Sequence, residues 1–411
     1  MKEKLFTKNF TMLILGQSFS LFGNYILKFA LSMYVLEQTG SATIFASLLA
    51  IAMIPTVILS PFAGMLADRE NRKNMMVILD VLSGVSVLIT SLLFDKGNGM
   101  SVIGTLLVVL SVLGAFESPT VQACVPQMLK GDNIIRGNAV VNQVASITAL
   151  IAPFLGSLFY TAFGMKPVLY ASMLCFWITA LFECFITLSW KKSEKKQKLI
   201  QMIQEDFRSS MRFLCKEQRP ILWMLLLTAL MGFFIVGAYV VGFPFLVRNV
   251  LKLSVEHYGV AESVMGVATI IGGLMVGFLV GRLKTSKLYQ VLILIGVCFV
   301  PAGIVFWFST DTFFQYLVLL ISFAIGQLTA SVFSIFALSI VQQHTPNELL
   351  GKVMAYTSAI VLCTQPLGQL VYGMLFDQFS NAVYIVLIGT GVIIILLSVF
   401  SKPFFEKLGN K

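Results

Sequence analysis

Five ionisable residues sit inside long apolar stretches of this chain: Lys28, Asp80, Glu117, Glu183 and Glu262. A charge at the centre of a hydrocarbon layer costs about 2.5–3.5 kcal/mol on insertion scales, so each is a candidate for chemistry that needs it there. A buried carboxyl group can carry a proton or hold a cation, and a buried ammonium can hold an anion. Glu117 lies seven residues before Cys124, which in a straight helix places it ~10 Å inside the end of its apolar run. It reads either as a proton carrier or cation ligand, or as a salt-bridge partner for Arg69 or Arg72. Asp80 is close to the start of its run, where water or the preceding basic loop is expected to meet it. Lys28 either holds a substrate anion or extends its stem outward to the interface. Glu183 and Glu262 are open to the same division between coupling and structure.

The elements that must position these groups follow from composition. With 57% apolar residues against 12% charged, the chain is not built to dissolve in water. A helix needs about 20 mostly apolar residues to cross a bilayer. Twelve such runs occur, from 10–34 and 43–66 through to 353–376 and 382–400. They are continuously apolar and lack the short alternating segments of an outer-membrane barrel, so α-helices are expected throughout. Short cytoplasmic loops carry the excess of Lys and Arg. With both termini inside, 24 of these residues fall on the cytoplasmic side and four outside (Lys96, Lys166, Arg248 and Lys252), which favours that orientation in a cell membrane. The net charge of +10 is thereby explained by topology, and nucleic acid is not an expected partner.

A polar segment rich in Lys, Glu and Gln divides the runs into two sets of six. The expected organisation is a six-helix bundle over 1–190, a cytoplasmic loop over 191–220 and a second bundle over 221–411. Two motifs repeat across this divide. Gly64-Met-Leu-Ala-Asp-Arg69 matches Gly277-Phe-Leu-Val-Gly-Arg282 at an offset of 213, and Leu155-Gly-Ser-Leu-Phe-Tyr160 matches Leu367-Gly-Gln-Leu-Val-Tyr372 at 212. Tandem duplication accounts for both, and six spans per copy give the copies parallel topology, with substrate expected between them near the midplane.

Between runs two and three the chain reads Gly64-Met-Leu-Ala-Asp68-Arg69-Glu70-Asn71-Arg72-Lys73. This resembles the major facilitator superfamily, whose signature in that loop is G-x-x-x-D-R-x-x-R-[RK]. The resemblance implies a fold of twelve transmembrane helices in two pseudo-symmetric six-helix bundles. It also implies a cytoplasmic latch built from Gly64, Asp68, Arg69, Arg72 and Lys73, with a weaker copy at Gly277 and Arg282 that has Gly281 in place of the Asp. Physically, the glycine admits a neighbouring helix and the aspartate suits a helix N-terminus. The stretch Gly23-Asn24-Tyr25-Ile-Leu-Lys28-Phe-Ala30, with Tyr34 and Thr39-Gly40-Ser41-Ala42, is similar to drug exporters typified by macrolide efflux pumps. That subgroup commonly has an acid at the position of Asn24. Ala152-Pro153-Phe-Leu-Gly156-Ser157 is a degenerate form of the antiporter motif G-P-x-x-G-G, and Pro153 and Gly156, like Pro366 and Gly368, permit a kink and close packing.

The resemblance therefore implies proton-coupled efflux of hydrophobic or amphiphilic small molecules by a protein that works as a monomer. A metabolite importer of the same fold is the alternative, although it would be expected to carry more polar residues in its spans. A membrane-embedded enzyme is disfavoured, because the only histidines, His257 and His344, lie near run ends without a catalytic partner. No G-x-x-x-x-G-K-[ST] loop for a primary pump is present. The six cysteines form no C-x-x-C pair, so neither disulfide nor metal nor other cofactor is expected.

Overall fold

The computed structural model describes residues 5–95, 99–130, 132–188, 219–279, 282–343, 345 and 347–409. Side chains are described apart from those of 60, 61, 64, 65, 67–69, 132, 135, 219, 347–352, 354–358 and 409. The central loop expected at 191–220 therefore falls almost wholly outside the described residues.

Among the described residues, twelve helices are long and apolar enough to cross a membrane. In the first half they are α1 (Lys8–Thr39), α2 (Ala42–Arg69), α3 (Arg72–Leu93), α4 (Gly99–Met128), α5 (Asp132–Phe163) and α6 (Met165–Cys184). In the second half α7 begins at Arg219–Val236 and runs on through π-helical turns, Gly237–Gly242 and Leu246–Val250. It is followed by α8 (Val255–Leu279), α9 (Leu288–Phe308), α10 (Thr312–Gln343), α11 (Asn347–Gln378) and α12 (Val383–Gly409). Several helices outrun the apolar stretches that announce them, because capping residues stop the chain and hydrophobicity does not. Thr7 accepts the Phe10 amide at the start of α1, and Gly40, at φ 60°, ends it in the left-handed conformation that a glycine adopts without strain. Asn71 caps α3 in the same way by accepting the Asn74 amide.

The duplication extends well beyond the two motifs. Adding 212 to the first residue of α1, α2, α4 and α5 gives 220, 254, 311 and 344, against observed starts at 219, 255, 312 and 347. For α6 the sum is 377 and the observed start 383. The packing repeats as well: α1 packs on α5 as α7 does on α11, and α3 packs on α4 and α6 as α9 does on α10 and α12. Small residues set the closest approaches. A β-carbon at Gly156 would lie 3.4–3.5 Å from Phe29 and Ile26 of α1, and one at its counterpart Gly368 would collide with the Phe233 carbonyl of α7. Gly84 and Gly296, also 212 apart, face Trp177 of α6 and Gly391 of α12.

Two compact units result. One gathers Met1–Gly40, Leu48–Glu194 and Ser254–Ser263; the other gathers Ser41–Ser47, Lys195–Leu253 and Val264–Lys411. The first turns of α2 thus pack with the second unit, and those of α8 with the first.

The glycine contacts yield an expectation. Gly368→Ala drives a methyl group into backbone atoms of α7 and should cost about 1–3 kcal/mol of stability. Gly277, whose β-carbon would meet nothing within 4 Å, should tolerate alanine within about 0.5 kcal/mol. Thermal unfolding of the two purified variants in detergent measures the difference, and equal melting temperatures would refute the packing argument.

Candidate functional site

Four helices of the first unit bring their polar side chains to one place. On α1, Gln17, Ser20, Asn24 and Lys28 recur at steps of three and four residues and so share a face. Asp80 comes from α3, Glu117 from α4 and Glu183 from α6. The Ser20 hydroxyl is 3.0 Å from Asp80 Oδ1 and 3.0 Å from Glu117 Oε1. Glu183 adjoins Asp80, but neither of its carboxyl oxygens has a hydrogen-bond partner. Its stem lies against α1 at Gly16, where a β-carbon would be 3.7 Å from Glu183 Cγ. The approach of α6 to α1 is tied further by Thr179, which donates to the Gly16 carbonyl at 2.9 Å. Asp80 and Glu183 are completely buried, Glu117 is half-buried and Lys28 is exposed. Lys28 interacts electrostatically with Glu117 and supplies the positive charge on this side of the cluster.

Asp80 corrects the expectation that it meets water or the basic loop. It is eight residues into α3 from Arg72, which carries it about 12 Å along the helix. There it has no exposure and bonds to Ser20. Arg72 meanwhile donates to the Ala123 carbonyl at 2.7 Å, six residues beyond Glu117 on α4.

The other sequence candidates are placed as follows. Lys73 is half-buried in the first turn of α3. Gly64, Asp68 and Arg69 lie on α2, with side chains outside those described. Gly277 faces open space, Arg282 is exposed just after α8, and Gly281 is outside the described residues. Asn24 is half-buried, its Oδ1 without a hydrogen-bond partner. Glu262 belongs to a different neighbourhood: it accepts from Tyr258, whose ring stacks on Phe29 at 5.3 Å. Pro153 and Pro366 lie within α5 and α11.

Two sets of residues escaped sequence reasoning. Gln17 and Ser20 are uncharged, and only their helical spacing from Asn24 and Lys28 hinted at a shared face. Asp377, near the end of α11, was hidden by separation in sequence. Its carboxylate accepts the Ala42 amide at 2.7 Å, the Thr43 amide at 2.9 Å and the Ser41 hydroxyl at 2.5 Å. The next amide, Ile44, bonds to Ser41 Oγ at 3.2 Å. The first three amides of α2, which no helix can satisfy internally, are therefore all paired. Close approach is possible because α11 presents Gly373 to Ala42 and Ala46. Replacing Asp377 by Ala should cost about 0.5–2 kcal/mol, as removal of a helix cap does. Asn, which keeps one acceptor oxygen, should cost less. Melting curves of the purified variants test this, and an alanine variant as stable as the parent would refute the cap.

Comparison with known proteins follows the same lines. The family model of the Major Facilitator Superfamily matches residues 13–363. Macrolide efflux protein A of Streptococcus pyogenes is 22% identical over 384 residues, which cover 93% of each chain. Among solved structures, a mutant form of the nucleoside transporter NupG superposes with a TM-score of 0.76 at 14% identity, covering 97% of this chain and 99% of that one. The D-xylose-proton symporter does so with a TM-score of 0.73 at 14% identity, covering 98% and 99%. These two likenesses are of fold alone. Twelve apolar spans, a duplicated six-helix unit and a match over most of the length place the chain in the Major Facilitator Superfamily, a family of membrane transporters.

Proposed function

We propose that this transporter is a proton-coupled exporter of hydrophobic or amphiphilic small molecules, working as a monomer by alternating access in the cell membrane with both termini cytoplasmic. The observation that carries the reading is the similarity to Macrolide efflux protein A over 93% of both chains. Three features support it. The spans hold few charges, which suits a substrate that is itself largely apolar. The first unit gathers three carboxyl groups at one place, and a carboxyl group can bind and release a proton. The motif from Gly64 to Lys73, with its partial copy at Gly277 and Arg282, occupies the position of the family's latch.

Inverted membrane vesicles test class and direction together. Energised without ATP by an imposed proton gradient, they should accumulate erythromycin or a lipophilic cationic dye such as ethidium, and an uncoupler should abolish the accumulation. Uptake that ignores the gradient would refute proton coupling. Uptake confined to right-side-out vesicles would establish an importer instead.

A further inference from the structure

Hydrogen counting at the carboxyl cluster does not close if every acid is ionised. Ser20 has a single hydroxyl proton, yet Asp80 Oδ1 and Glu117 Oε1 both stand 3.0 Å from its oxygen. Ser20 can donate to one of them; the other contact is a hydrogen bond only if the carboxyl group is the donor. The same holds one step further on. Asp80 Oδ2 and both oxygens of Glu183 are buried with no donor in reach, although the two carboxyl groups adjoin. Two ionised carboxylates at that separation repel, whereas one proton between them makes a strong hydrogen bond. A proton on the pair would supply the donor that these oxygens lack.

The fold itself does not ask for these groups. At the repeat offset of 212, Ser20, Asp80, Glu117 and Glu183 correspond to Gly232, Leu292, Thr329 and Ile395. Leu292 is as fully buried as Asp80. At the α3–α4 and α3–α6 contacts, which recur as α9–α10 and α9–α12, the second unit thus has apolar or neutral side chains where the first has carboxyl groups.

We propose that Glu117, Ser20, Asp80 and Glu183 form one proton relay, in which the Asp80–Glu183 pair stores a shared proton and Ser20 passes it to and from Glu117. In one transfer the Asp80 carboxyl group turns its O–H from Glu183 to Ser20, that O–H bond breaks as the proton moves to Ser20 Oγ, and the proton of Ser20 moves to Glu117. One proton advances, and no other bond changes. The two ends of the relay differ in access. On one side the buried apolar residues Phe10, Leu13, Met76, Val121 and Ile186, from the same helices or just beyond them, close off the store. On the other, Glu117 is half-buried and faces Lys28 of α1. The remaining polar neighbours are Cys124 of α4, near Glu183, and Arg72 of α3, near Cys124. Protons therefore enter and leave through Glu117. The inference rests on the proton-coupled reading for its role, but the stored proton can be observed directly.

Infrared difference spectroscopy of the purified full-length protein reads that proton. The wild type at neutral pH should show a protonated-carboxyl C=O band that shifts in D2O. Asp80→Asn and Glu183→Gln should each remove it; should one fail to fold, the other reads the pair. Ser20→Ala and Glu117→Gln should retain the band but slow its exchange with D2O by about tenfold, the factor that corresponds to one lost hydrogen-bonded link. A wild type without the band, a band that survives both pair variants, or exchange unchanged by Ser20→Ala would overturn the relay. Loss of the band when NaCl replaces choline chloride would mark a sodium site and overturn it equally. If the band and its exchange behave as expected while inverted vesicles show no gradient-driven uptake, the coupled-export reading falls and the relay stands. If uptake is gradient-driven and the band is absent, the relay alone falls.

Discussion

Hydrocarbon offers no hydrogen bonds, and the rest of this structure depends on that constraint. Every backbone amide and carbonyl within the bilayer must be paired by the chain itself, which leaves continuous helices as the way for twelve apolar runs to cross. The same constraint governs helix ends and polar side chains. The first amides of α2 are satisfied by Asp377 and Ser41. The hydroxyls of Ser18, Thr39 and Thr120 turn back to carbonyls one turn earlier. Since lipid is as apolar as leucine, burial does little to press helix against helix, and close contact falls to small residues. Gly156, Gly368, Gly84 and Gly296 do this work, in pairs related by the duplication.

Against that background a buried carboxyl group is conspicuous. Scattered singly through twelve helices, five ionisable residues would be five separate problems of desolvation. Three of them, Asp80, Glu117 and Glu183, are instead gathered in one unit, with Ser20 between two of them, and Lys28 balances part of their charge. Gathering solves one problem and creates another. It supplies hydrogen-bonding partners for groups that lipid would leave bare, but it sets like charges side by side, and the proposed shared proton reconciles the two.

How far the sequence disclosed this varied with the physics involved. The spans were legible because hydrophobicity over some 20 residues is a strong signal averaged over many side chains. The duplication was visible in two motifs because close-packing glycines and their neighbours tolerate little change. The carboxyl cluster was legible only in part. Sequence exposes an acid within an apolar run, but which helix it faces depends on the rotation and neighbours of that helix, and neither leaves a local trace. Asp80 was assigned to the water-facing end because its apolar run was taken to begin near it, whereas α3 starts at Arg72 and carries it two turns inward. Ser20 and Gln17 gave only the weak signal of helical spacing, because a serine or glutamine in a span is inexpensive. Asp377 was out of reach because its partners lie more than 330 residues away.

The two halves share a scaffold but not a chemistry. Tandem duplication supplies two bundles with the same helix order and with shared glycine contacts at Gly84 and Gly296 and at Gly156 and Gly368, and selection need preserve only what packing requires in both. Leu292 and Ile395 show that packing at the α9–α12 contact is satisfied by apolar side chains. A carboxyl group at the matching positions of α3 and α6 therefore adds cost without adding to the fold. A transporter of this architecture has reason to confine ionisable groups to one bundle, because a charge that changes state inside a single packed unit alters that unit alone. Its free energy then shifts relative to an unchanged partner. Differential stabilisation of this kind is what allows a bound ligand to move an equilibrium between conformations.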